Sequence, residues 1–334
     1  MQHVNTLTGI TRAVLGEELP LSTPFLVQIF PVYGCNFRCE YCLHALPRMQ
    51  HGYISDVTFM EIDLYKKCID DMIPLPNKLK MLRFAGIGEP LLHKNISEMV
   101  RYAKLQKIAE SVDIVTNGVL LNEKLSWSLI ESGLDRLRIS IQGVTAEKYN
   151  GISKANIDLN KFLQNLRFFY KHKEKTTVYI KIIDCALDDE AETKRFYDMF
   201  GELCDIIAVE HLAPAVQDID YRNIAGGKSL DFTQNGNPVL DVAICPQPFY
   251  MLQINPDGAI VPCCSMKYPG VFGNISNQSI EEIWNSQQLA DFRRNMLEGT
   301  QNAGPVCSEC LMYKYNLFPE DVLDPFAQRL KAYY

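Results

Sequence analysis

The sequence contains no run approaching the roughly eighteen apolar residues of a membrane-spanning helix. Its start, Met1–Pro24, has no basic segment leading into an apolar core, which excludes a secretory signal. Basic charge is also short: 33 Lys and Arg stand against 40 Asp and Glu, a net charge of −7. That balance argues against nucleic acid or an anionic membrane as a partner. The one basic run, Lys171–Lys175, reads as a solvated helix end. Cysteine is not scarce. Eleven cysteines without a secretory start point to metal or redox chemistry in a reducing cytoplasm rather than to disulfides. At 334 residues the chain has room for one large core and a smaller appended domain.

Three of the cysteines fall within nine residues, Gly34-Cys35-Asn36-Phe37-Arg38-Cys39-Glu40-Tyr41-Cys42, directly after a strand-like run, Phe25–Pro31. Thiolates at Cys-x3-Cys-x2-Cys spacing in one loop can converge on a single iron–sulfur cluster. Three ligands on a four-iron cluster leave one iron open, as catalytic metal sites keep a position free.

In this stretch the chain resembles the radical S-adenosylmethionine (SAM) superfamily. The resemblance implies that the open iron chelates the amino and carboxylate groups of SAM. Reductive cleavage of SAM would then give a 5′-deoxyadenosyl radical that abstracts hydrogen from an unreactive C–H bond. It also implies that Tyr41, just before the third cysteine, packs near the adenine.

Downstream, helical and strand-like segments alternate. Helices are expected over Asp56–Met72, Ile96–Ile108, Asn122–Ser132, Leu159–His172 and Asp188–Leu203. Strands are expected over Lys80–Ala85, Val112–Val115, Arg136–Ile141, Thr177–Ile183 and Asp205–Glu210. Six such alternations predict βαβ units, a parallel sheet and an α/β fold of the partial (β/α)6 barrel kind. That is also the architecture the resemblance implies.

Chemistry in such barrels sits at the C-terminal ends of the strands, and the unusual residues fall there. Gly86-Ile87-Gly88-Glu89-Pro90 resembles the family's Gly-Gly-Glu motif, which implies that Gly88 and Glu89 meet the SAM amino group. Period-2 alternation in the fourth strand separates Leu137, Ile139 and Ile141 from Arg138, Ser140 and Gln142; with the aliphatic set packed on helices, Ser140 and Gln142 point into the barrel. Ser140 resembles a position that contacts the SAM ribose or carboxylate. Thr116, Asn117, Lys181 and Glu210 read as turn residues or satisfied polar groups of the barrel.

Five further cysteines follow a long connection, 212–244: Cys245, Cys263, Cys264, Cys307 and Cys310. Met251–Asn255, Pro256-Asp257-Gly258 and Ala259–Pro262 form a hairpin signal, and Ile280–Asn285 and Gln288–Leu297 read as helices. Cys245-x12-Gly258-x4-Cys263 followed by Cys307-x2-Cys310 resembles the auxiliary-cluster extension called SPASM or, in its shortened form, twitch. This implies one auxiliary [4Fe-4S] cluster on Cys245, Cys263, Cys307 and Cys310. Four cysteines suit tetrahedral zinc by spacing alone, so a zinc-stabilised, non-catalytic binding protein is the alternative from another class. Adjacent residues in extended chain point opposite ways, which leaves Cys264 off the cluster as a candidate hydrogen-atom donor or a small buried hydrophobe. Cys68, Cys185 and Cys204 are expected as core residues in helix or strand.

The expected organisation is an N-terminal extension 1–24, a barrel 25–211, a linker 212–244, an auxiliary domain 245–310 and an aromatic tail 311–334 capping the barrel. Two [4Fe-4S] clusters, SAM and a reducing partner such as flavodoxin or ferredoxin follow from the resemblance. So does hydrogen abstraction from a small polar, sugar- or aminocyclitol-like substrate, ending in epimerisation or dehydrogenation. No extra domain for gripping a leader peptide is visible, and a peptide maturase is the second expectation.

Overall fold

Six parallel strands run in sequence order across one sheet: β1 (Leu26–Ile29), β2 (Leu79–Phe84), β3 (Ala109–Thr116), β4 (Arg136–Ile141), β5 (Thr177–Ile183) and β6 (Ile206–Glu210). The computed structural model describes residues 12–51 and 55–334. Residues 1–11 of the expected N-terminal extension lie outside the described residues. The helices Ile62–Asp70, Ile96–Gln106, Glu123–Glu131, Leu159–His172 and Glu190–Phe200 link successive strands. Three of them begin where the sequence supplies a side-chain cap: Asn122, Asp158 and Asp189 each accept a backbone N–H from the first turn. In β4, Leu137, Ile139 and Ile141 are buried in one core with Phe162, Leu166 and Phe169 of the helix Leu159–His172. Each such aliphatic side chain contributes roughly 1.5–3 kcal/mol. The alternate residues Arg136, Arg138 and Ser140 face the concave side.

The sheet does not close. β7 (Met251–Ile254) pairs parallel with β1, and β8 (Ala259–Val261) and β9 (Gly273–Asn274) continue it antiparallel, giving the order β6-β5-β4-β3-β2-β1-β7-β8-β9. The auxiliary hairpin is therefore an extension of the barrel sheet. Its turn places Gly258 at φ +81°, where a β-carbon would also lie 2.8 Å from Asn274 Oδ1. Among the described residues no helix is long and apolar enough to cross a membrane.

Several expectations need correction. The helix expected over Asp56–Met72 begins only at Ile62. Before it, the chain is extended and pairs with the segment after β1: Phe59 bridges Val32, and Met60 donates to the Pro31 carbonyl. These long-range bonds override the helical spacing. A helix not anticipated, Ala146–Ser153, begins at the cap Thr145, which accepts from Lys148 N–H. Cys185 lies half-buried in the short 3-10 helix Asp184–Ala186 after β5, and Cys204, buried, lies in the connection just beyond the 3-10 helix Gly201–Leu203 rather than within a helix or strand. The tail packs on the auxiliary region, not the barrel: Leu323, Leu330 and Tyr334 share a core with Leu15, Leu19, Cys245 and Phe249.

Candidate active site

The loop carrying Cys35, Cys39 and Cys42 is held by backbone bonds to three separate segments. Tyr33 N–H donates to the Thr58 carbonyl at 2.9 Å, and Glu89 N–H to the Gly34 carbonyl at 2.9 Å. Arg38 and Glu40 N–H groups donate to the Ser153 and Ile152 carbonyls at 2.8 and 3.0 Å. These last two acceptors belong to the end of the helix Ala146–Ser153, so the unanticipated helix shapes the loop. Phe37 is buried edge-on against Tyr149 of the same helix, with ring centroids 6.3 Å apart. The Thr145 cap ahead of Ala-Glu-Lys-Tyr was the available sequence signal.

Burial raises all three thiols. Cys35 is pushed up to about 12, against the N–H bond from Phe37 and with the Glu89 charge adding to the rise. Cys39 and Cys42 are raised by burial as well. Such thiols are neutral on their own, so a cationic centre binding there would displace their protons.

Glu89 stands at the end of the β2 connection, 2% exposed. Its carboxylate accepts from Leu91 N–H at 2.9 Å, the Thr116 hydroxyl at 2.6 Å and Asn117 N–H at 2.8 Å. No cation pairs with it among the described residues, and burial raises its pKa despite these bonds. A buried carboxylate without a positive partner fits an incoming ammonium such as that of SAM. Thr116 and Asn117 thus act by orienting Glu89, and Asn117 also bonds Asn36 of the cysteine loop at 2.8 Å. A β-carbon on Gly88 would lie 1.9 Å from the Val32 carbonyl oxygen and 2.7 Å from that of Gly34. The close approach that requires glycine there is to the cysteine loop's own backbone.

Gln142 follows β4 and ties the loop together from the other side. Its Oε1 accepts from the Tyr41 hydroxyl and lies 3.7 Å from Cys39 Sγ, while its Nε2 donates to the Ser140 carbonyl at 3.1 Å. The Tyr41 carbonyl accepts from the Tyr221 hydroxyl at 2.8 Å. Tyr221 opens a short helix in the 212–244 connection, so that connection packs on the loop instead of passing it by. Ser140 is half-buried, registered beside Lys181 of β5.

Cys245, Cys263, Cys307 and Cys310 line one cavity with Gln247, Met296 and Tyr313. Burial raises Cys245 and Cys263 strongly and takes Cys307 to about 12. Among the described residues no three His, Cys, Asp or Glu side chains converge as tightly as a single ion requires. An all-sulfur donor set spread around a cavity suits an iron–sulfur cluster. Cys264 does not line this cavity: its thiol lies 3.5 Å from Gln247 Oε1, and the Arg83 guanidinium acts on it.

Arg83 belongs to the concave face, where the sheet register aligns Gln253, Gln28, Arg83, Asp113, Arg136 and Thr177 in one row across six strands. Further along β5, Lys181 pairs with Glu210, which also accepts from Tyr179 at 2.6 Å and Gln234 at 2.9 Å. The barrel interior is therefore polar and hydrogen-bonding.

Comparisons with known proteins agree with this geometry. The radical SAM superfamily matches residues 29–193, and the iron–sulfur cluster-binding domain SPASM matches residues 245–311. The chain is similar to the tungsten-containing aldehyde ferredoxin oxidoreductase cofactor-modifying protein of Pyrococcus furiosus, 26% identical over 319 residues that cover 83% of this chain and 84% of that protein. It is similar to the GTP 3′,8-cyclase of Aquifex aeolicus, 24% identical over 313 residues, covering 83% of this chain and 94% of the cyclase. Its fold resembles that of BtrN in complex with AdoMet and 2-DOIA, at TM-score 0.57 and 18% identity over 90% of this chain and 98% of BtrN. It also resembles Streptococcus suis SuiB bound to S-adenosylmethionine, at TM-score 0.61 and 14% identity over 90% and 74% of the two chains. SAM and [4Fe-4S] clusters are the cofactors these two domains imply, and the cysteine sets and the unpaired Glu89 carboxylate fit them. The chain belongs to the radical SAM superfamily and carries a SPASM-type iron–sulfur domain.

Proposed function

We propose that this radical SAM enzyme removes a hydrogen atom from a C–H bond of a small polar molecule of the sugar or aminocyclitol kind, ending in dehydrogenation or epimerisation. The observation that carries the reading is the polar concave face, where Arg83, Arg138, Lys181, Glu210 and Gln253 offer directional bonds to a hydroxylated substrate. A pocket for a purely apolar group would not be lined this way. Two relatives support it by their names: one modifies a cofactor and another acts on GTP.

In this reading Cys35, Cys39 and Cys42 hold the catalytic cluster, and Cys245, Cys263, Cys307 and Cys310 the auxiliary one. SAM bound at the open iron would supply, on reductive cleavage, the radical that takes the substrate hydrogen. Glu89 receives the SAM ammonium, while Tyr41, Gly88, Ser140 and Gln142 border the same molecule. The barrel over 25–211 and the auxiliary domain over 245–310 then meet across the 212–244 connection, and a flavodoxin- or ferredoxin-like donor delivers the electron. Cys264, off the auxiliary cavity, would return a hydrogen atom to a substrate radical.

The test is incubation of anaerobically reduced protein with SAM and polyols deuterated at their carbinol carbons. Deuterium should enter 5′-deoxyadenosine. SAM cleavage that responds only to a precursor peptide would replace this reading with peptide maturation. Cys264→Ala should retain both clusters and hydrogen abstraction while losing epimerised product; normal turnover would leave dehydrogenation. Loss of the auxiliary cluster would make Cys264 a ligand.

A further inference from the structure

The concave face holds more positive charge than its own carboxylates balance, in a chain whose net charge is −7. Arg83, Arg136, Arg138 and Lys181 stand there against Asp113 and Glu210. Lys181 and Glu210 satisfy each other. Asp113 is shared loosely, 3.5 Å from Arg83 and 3.8 Å from Arg136, and its other oxygen accepts from the Ser111 hydroxyl at 2.7 Å. Arg138 makes no ion pair within 4 Å among the described residues, although its charge acts on Glu210; its guanidinium lies over the Tyr179 ring, 4.8 Å from the centroid.

The Nε atoms of Arg83, Arg136 and Arg138 are all buried without a hydrogen-bond acceptor. Gln253 Oε1, in β7, is buried without a donor, and Asn255 Nδ2, just after β7, without an acceptor. Buried polar atoms are normally paired, and a cluster of orphans asks for a missing partner. Guanidinium groups cannot escape the cost by losing a proton, since they stay charged in proteins. Burial, followed by repulsion from Arg138, lowers Arg83 to about 10, with Asp113 opposing. Two like charges gathered in one interior repel each other, and an anion that joins them relieves that cost. Arg136 lies level with Arg83 across Asp113, while Arg138 lies two residues further towards the C-terminal, catalytic end of β4, and its charge acts directly on Arg83.

We propose that Arg83 and Arg138 receive an oxyanion of the substrate, a phosphate or carboxylate group, so that the polar molecule turned over here is an anionic one. The planar fork of each guanidinium suits two-point contact with such a group. This rests on the reading that substrate occupies the concave face.

Wild-type, Arg83→Gln and Arg138→Gln proteins, each carrying both clusters, are titrated calorimetrically with inorganic phosphate and separately with SAM. Phosphate should bind the wild type and lose about ten- to hundredfold in affinity in either variant. Iron content and SAM affinity should be unchanged. Arg138→Lys, which keeps the charge without the fork, should lie between and guards against a folding defect in the glutamine variants. Phosphate that fails to bind the wild type, or binds all variants equally, overturns the proposal. A parallel fall in SAM affinity overturns it too, by assigning the guanidiniums to the SAM carboxylate. None of these readouts requires turnover, so their failure is separate from a failure of the deuterium-transfer test.

Discussion

Replacing Glu89 by glutamine removes one negative charge from a site that offers no positive one. In the wild type the carboxylate accepts three hydrogen bonds, at 2.6, 2.8 and 2.9 Å, and carries its charge 2% exposed. The SAM ammonium would be its first cationic partner. A charge-assisted hydrogen bond to a buried group is worth roughly 1.5–3 kcal/mol, so the substitution should weaken SAM binding by about ten- to a hundredfold. Glutamine keeps the chain length and one oxygen, which can still accept from Leu91 and Thr116. Its amide nitrogen, however, would face the Asn117 N–H, donor against donor. That mismatch should cost about 1–3 kcal/mol of folding stability, a loss separable from SAM affinity by denaturant unfolding. Calorimetric titration of anaerobically reconstituted Glu89→Gln with SAM, alongside iron and sulfide analysis, measures the first effect. Wild-type affinity in a variant with both clusters intact would refute the reasoning and reduce Glu89 to the cap of the turn Pro90–Leu92.

Changing Cys35, Cys39 and Cys42 together to alanine should remove about half of the iron and all SAM cleavage; cleavage retained in that protein would rule out the assignment. Gly88→Ala places a β-carbon 1.9 Å from the Val32 carbonyl oxygen, backbone that cannot swing aside. It should disorder the cysteine loop and lower catalytic-cluster occupancy, read from iron content, while the auxiliary cluster persists. The Glu210–Lys181 pair predicts a pH dependence. Burial alone would raise Glu210, but the Lys181 charge and the bonds from Lys181 and Tyr179 outweigh it and hold the carboxylate below its ordinary 4.5. The folded state therefore binds fewer protons between the two values, so the stabilisation is complete above about 4.5 and is lost as pH falls through the depressed value. Lys181→Met should cost roughly 3–5 kcal/mol at neutral pH. The stability of that variant should rise, not fall, on acidification, as the unpaired carboxylate takes up its proton. Parallel acid limbs for the two proteins in denaturant unfolding would contradict this.

Two parts of this protein are written in its linear order. Cysteine spacing within a nine-residue loop and again across 245–310 is local information, because ligands to one centre must be brought together by short chain segments. The alternation of apolar periodicities along 25–211 is local too, and it produced the parallel strands in sequence order. Tertiary structure decided the rest. Phe59 and Met60 read as helix, yet long-range bonds to Val32 and Pro31 hold them extended against the cysteine loop. The helix Ala146–Ser153 supports that loop from over a hundred residues away, through carbonyls that carry no sequence signature. Thr116 and Asn117 looked like an ordinary strand-to-turn junction until the fold laid them against Glu89. Arg83 and Arg138 are unremarkable in sequence, each an alternating residue of its own strand. Only the register of the sheet and its curvature set them on one concave face, where Arg83 shares Asp113 with Arg136 and Arg138 makes no ion pair among the described residues. Composition and spacing name which atoms bind a metal, since those atoms lie close along the chain. Charge left unpaired is a property of the assembled interior, and no single segment contains it.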